Sequence, residues 1–104
     1  MIELKDIGEE TGKFPDKADV VVVGGGIIGI AAAYFMATRG AAVVVVEKGR
    51  VAAEQSSRNW GWCRQANRDM REIPLILVAL DGWRGMNERI GAETGFRQCG
   101  IIYL

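Results

Sequence analysis

Two runs of consecutive apolar residues mark the first half of the chain, and what lies between them decides how they are read. Ala18 to Val23 is nearly all valine, and Ala42 to Val46 is again apolar until it ends in Glu47. Runs without polar alternation are the pattern of strands buried on both faces of a parallel sheet, which helices must cover. Between them, Ile27 to Arg39 is rich in alanine and other helix-compatible residues, with Gly29, Ala33 and Met36 on one stripe at helical spacing. Gly40 stands where a left-handed residue ends a helix. The pattern predicts strand, helix and strand over residues 18–47, the size of one βαβ unit, and an α/β fold with a parallel sheet.

The flanks are less regular. Residues 1–17 mix charge with Gly12 and Pro15 and show no sustained period, so they read as an N-terminal arm that adds a short strand or frays. Residues 48–70 are polar and irregular, and a loop of that length in a compact domain is usually functional or disordered. Pro74 suits the first turn of a helix near residues 71–90, with Ile76, Leu80, Trp83 and Ile90 as its apolar face and Gly91 as its stop. Residues 96–104 are strand-like again, and the final Ile101-Ile102-Tyr103-Leu104 ends without a turn signal, as a cut chain does.

Composition narrows the chemistry. The 13 basic residues balance the 13 acidic ones, so no overall field draws nucleic acid or an anionic membrane surface. Histidine is absent, which excludes an imidazole base, a Ser-His or Cys-His nucleophile pair and an imidazole metal ligand. The two cysteines, Cys63 and Cys99, form no C-x-x-C pair, so neither a zinc site nor a disulfide framework is expected, and a reducing cytoplasm fits. Cys63 reads as a buried inert thiol. Val20 to Thr38 carries no charge, but three successive glycines after four valines make it a poor transmembrane helix.

The glycines carry the strongest chemical signal. Gly24-Gly25-Gly26-Ile27-Ile28-Gly29 satisfies G-x-G-x-x-G at the strand-to-helix turn. Gly24 permits the tight turn, Gly26 leaves no Cβ between backbone and a pyrophosphate, and Gly29 lets helix and strand approach closely. The first helical N–H groups, around Ile27 and Ile28, lack partners within the helix and point at the turn, where a pyrophosphate is the natural ligand. Glu47 follows Gly29 by 18 positions at the end of the second strand, near the spacing of a carboxylate that accepts ribose hydroxyls. An acid there disfavours a 2′-phosphate and hence NADP. These features make a Rossmann-like FAD- or NAD(P)-type dinucleotide site; which dinucleotide binds stays open, since FAD and NAD present the same adenosine diphosphate.

The loop that follows narrows the choice. Glu54-Gln55-Ser56-Ser57-Arg58-Asn59-Trp60-Gly61-Trp62, then Arg64-Gln65, together with the Asp19 to Gly29 stretch and Glu47-Lys48, resembles the D-amino-acid oxidase, glycine oxidase and sarcosine oxidase family of FAD-dependent oxidoreductases. The resemblance covers residues 18–104 and implies FAD as cofactor, with Ser57, Arg58 and Asn59 along the pyrophosphate and ribityl chain and Gly61 letting the backbone pass the flavin ring. Lys48 belongs to the same motif. The implied reaction is oxidation of a C–N bond in a small amine or amino acid, with hydride transfer to the flavin. Family members are several-fold longer, with a further FAD contact and a substrate domain, so the chain is expected to be an N-terminal part, inactive alone. No catalytic side chain and no metal ligand is singled out, and the residues say nothing of oligomeric state. Two alternatives stand beside this reading: a NAD-binding dehydrogenase domain, and a non-catalytic truncated piece that binds no cofactor.

Overall fold

The computed structural model describes residues 15–102 and 104, so most of the expected arm, residues 1–14, lies outside the described residues. They form two compact units, one ending at Trp60 and one beginning at Gly61. In the first, β1 (Val20–Val23), α1 (Ile27–Ala37) and β2 (Val43–Val46) make the βαβ unit, and a short 3-10 turn follows at Gln55–Ser57.

β1 and β2 pair in parallel, Val20 opposite Val43 through Val23 opposite Val46. The pairing extends beyond both ends. Asp19 N–H donates to the Ala42 carbonyl at 2.8 Å, and Gly24 N–H to the Val46 carbonyl at 2.8 Å. The Asp19 carboxylate also accepts the Ala42 N–H at 2.7 Å. α1 ends where Gly40 takes φ +91: Gly40 N–H donates to the Ala37 carbonyl and Ala41 N–H to that of Met36, the paired bonds of a Schellman stop.

α1 packs on the sheet through the predicted stripe. Ala33 is buried, and Gly29 lies against Val22 and the Gly24 carbonyl. The opposite sheet face differs from expectation. Val21 and Val23 are 58% and 84% exposed, although an all-valine strand reads as covered on both sides. One crossover helix covers one face of a two-stranded sheet.

In the second unit, α2 (Ile73–Arg84) carries Pro74 in its first turn, where the missing N–H is not needed. Trp83 on α2 stacks with Phe96, ring centroids 5.9 Å apart. The single helix expected near 71–90 is divided: Gly85 leaves helical geometry at φ −101 and ψ 5, and α3 (Met86–Ile90) follows. Gly82 and Gly85 each cost a helix about 1 kcal/mol relative to alanine, so the break falls where helix propensity is lowest. Past the break Ile90 falls out of phase with the Ile76, Leu80 and Trp83 face and is exposed. Gly91 then closes α3 in the left-handed conformation, φ +66. The segment expected to start a strand at Phe96 runs as irregular chain through Ile102. Gly95 and Gly100, both at φ +76, interrupt the extended backbone that a strand needs.

Candidate functional site

The site is the end of the sheet where β1 and β2 both discharge their chains. Gly24 leaves β1 at φ +105, a conformation that a side chain opposes, and so turns the chain toward α1. Gly26, at φ −76 and ψ 177, is the N-cap. The first intrahelical bond runs from Ile30 N–H to the Gly26 carbonyl at 2.9 Å, so the amides of Ile27, Ile28 and Gly29 have no acceptor within the helix. A Cβ on Gly29 would collide with the Gly24 carbonyl oxygen. Gly24 and Gly29 thus stand where the turn and the close approach of helix to strand each require a glycine.

Glu47 turns into this bend. One carboxylate oxygen accepts Gly25 N–H at 2.8 Å, and the other accepts Gly49 N–H at 2.9 Å. These two amides hold the carboxyl below its ordinary value near 4.5, Gly25 contributing most, with the Lys48 amide and charge adding less and partial desolvation opposing. The group is therefore an anion at neutral pH. A carboxylate has about four acceptor positions, so room remains on it for a sugar hydroxyl. Lys48 follows at an exposed position.

The loop beyond contributes a residue that pattern reading did not single out. Ser56 Oγ accepts the Ile27 N–H at 2.8 Å, capping α1 from 29 positions away, and lies 3.0 Å from where a Cβ of Gly26 would be. Nothing local to a Ser-Ser pair says which hydroxyl turns inward; the 3-10 turn at Gln55–Ser57 decides it. Ser57 Oγ instead donates to the Ala53 and Glu54 carbonyls of its own turn. Arg58 pairs with Glu54 at 3.3 Å, and Asn59 donates its side-chain amide to the Ser56 carbonyl at 2.6 Å. The first unit thus brings Gly24 to Gly29, Glu47 and Ser56 together, with Ser57, Arg58 and Asn59 bonded within the adjoining turn. Gly61, at φ +69, belongs to the second unit.

Cys63 departs from expectation. It is exposed rather than buried, and local desolvation still pushes its thiol up. Among the described residues no helix is long and apolar enough to cross a membrane.

Known proteins are similar to this chain in sequence and structure. The chain is 32% identical over 93 residues to a glycine oxidase of Geobacillus kaustophilus, covering 83% of this chain and 25% of that enzyme. Its structure is similar to L-amino acid deaminase from Proteus vulgaris, with TM-score 0.82, 40% identity, and coverage of 89% of this chain and 22% of the other. It is likewise similar to the L-amino acid deaminase of Proteus myxofaciens solved with anthranilate, with TM-score 0.84, 41% identity, and coverage of 89% and 21%. The chain spans a quarter or less of these relatives. Residues 19–104 match the profile of the FAD dependent oxidoreductases, so the chain belongs to that family, whose cofactor is FAD.

Proposed function

We propose that this chain holds the adenosine and pyrophosphate of FAD in an enzyme that oxidises the C–N bond of a small amine or amino acid. The observation that carries the reading is the bend itself: Ile28 and Gly29 present helical amides with no acceptor in the helix, beside Ile27 capped by Ser56 and the Glu47 anion latched to Gly25. The diphosphate would take the amides of Gly26 and Ile28, with Ser56 holding that of Ile27 at the same helix end. Glu47 would accept the ribose hydroxyls, and Lys48, Ser57, Arg58 and Asn59 would line the path toward the flavin. When bound, FAD would supply the acceptor for the hydride, with its two electrons, that leaves the carbon bearing nitrogen. The side chains named here bind and orient; none is assigned a catalytic role. The amino-acid substrate class is supported by the names of the glycine oxidase and amino acid deaminase relatives. A cytoplasmic setting accords with Cys63 and Cys99 as free thiols.

Calorimetric titration of the chain with FAD, ADP-ribose and NAD tests the reading. Binding of FAD and ADP-ribose in preference to NAD is the expected result. A preference for NAD would replace the flavin with a nicotinamide dehydrogenase, and heat from none of the three would remove the cofactor site from this chain.

A further inference from the structure

Gly25 is the one residue of the bend that is buried, and both of its backbone polar groups are bonded to residues far along the chain. Its N–H is held by Glu47. Its carbonyl accepts the N–H of Ala52 at 2.9 Å. Ala52 makes this bond from an uncommon conformation: it sits at φ +59 in a turn closed by Ala53 N–H on the Arg50 carbonyl. For a residue with a side chain the left-handed region costs on the order of 1 kcal/mol, so something must hold Ala52 there. Its own turn and the bond to Gly25 are the contacts that do so.

Its effect follows from peptide planarity. In a trans peptide the carbonyl and the next N–H point in opposite directions. Fixing the Gly25 carbonyl on Ala52 therefore fixes Gly26 N–H facing the other way, and fixing Gly25 N–H on Glu47 sends the Gly24 carbonyl toward Gly29, where a Cβ would meet it. Two successive peptide planes of the glycine turn are thus set by residues 22 and 27 positions downstream.

Resting on the FAD reading above, we infer that Ala52 is a positioning residue for the dinucleotide: its left-handed turn presents a backbone N–H that clasps Gly25 and aims the Gly26 amide at the phosphate. Val51 completes the clasp sterically, its methyl 3.3 Å from where a Cβ on Gly25 would lie.

The test compares the chain with Ala52→Val and Ala52→Gly by residue-resolved amide hydrogen exchange and by FAD titration. Valine is strongly disfavoured at positive φ, so A52V releases the clasp. It should lose exchange protection at position 52, shift the Gly26 and Ile27 amide resonances, and weaken FAD binding about tenfold. Glycine keeps the donor and accepts the conformation, so A52G should restore protection, resonances and affinity. Rapid exchange at Ala52 in the unaltered folded chain overturns the clasp, whatever the variants do. So does an A52V chain with position 52 unprotected and FAD affinity unchanged. If no chain binds FAD, yet A52V shifts the Gly26 amide and A52G restores it, the clasp stands and the cofactor reading falls.

Discussion

The two units are held together in different ways. In the first, the bend after β1 is fixed by contacts between residues 22, 27 and 29 positions apart: Gly25 with Glu47, Gly25 with Ala52, and Ile27 with Ser56. In the second, bonds such as Arg71 with Asp69 and Thr94 with Asn87 are local, and Arg84 with Gln98 spans 14 positions. Leu75 and Val78 on α2 are 73% and 70% exposed, so that helix leaves much of its apolar surface in water. The contrast teaches where order comes from in a chain with so little buried surface. Backbone groups meeting across the sequence make the first unit's turn rigid, and the second unit relies on short-range turns around one aromatic stack.

Several substitutions would break or sharpen this contrast. The largest effect belongs to Gly29→Ala, which drives a methyl group into the Gly24 carbonyl. It should cost about 3 kcal/mol in urea unfolding of the first unit and abolish FAD binding with it. Trp83→Ala removes the stack on Phe96 and should cost about 2 kcal/mol, read as loss of protection in α2 and α3 while the glycine-turn amides stay unchanged. If the turn resonances move as well, the units are not independent. Ser56→Ala deletes the cap on Ile27 and should cost about 1 kcal/mol, with faster exchange at Ile27 and no change in the second unit.

Acid should act more gently, in the first unit through Glu47 and in the second through Asp69, whose carboxyl Arg71 holds below its ordinary value. Glu47 titrates lower in the folded chain than in the unfolded one, because the Gly25 and Gly49 amides favour its anion. Its contribution is fully present above the ordinary carboxylate value near 4.5 and is lost as pH falls from there through the depressed folded value. Glu47→Gln should flatten that part of the pH–stability profile. The smallest effect is that of Arg58→Ala, whose exposed pair with Glu54 is worth about 0.3–0.5 kcal/mol. A loss of FAD affinity beyond that amount would mark Arg58 as a cofactor contact.

What was legible in the chain beforehand was whatever a few adjacent residues encode. Valine runs, a glycine triplet and a terminating Gly40 are local signals, and the βαβ unit follows from them. Glu47 was found because strand and helix lengths convert directly into spacing. Ser56 was not, since the conformation of a 3-10 turn chose it over Ser57. Ala52 has no signal at all, because alanine is an unremarkable residue until its φ is seen. The second unit misled in the opposite direction: an apolar period ran through Gly85, and residues 96–104 had strand composition, but backbone freedom at Gly85, Gly95 and Gly100 overrode both.

The valine tetrads of β1 and β2 carry one more consequence. Sliding one strand along the other by a residue still sets valine against valine over most of the ladder, so side-chain identity within the strands cannot tell one alignment from its neighbour. Only the ends can: Asp19 gripping Ala42 at one, and Gly24 on Val46 with Gly25 on Glu47 at the other. The acid beside the bend is therefore also an alignment mark, and the same carboxylate that would meet a sugar tells two otherwise interchangeable strands where to stop.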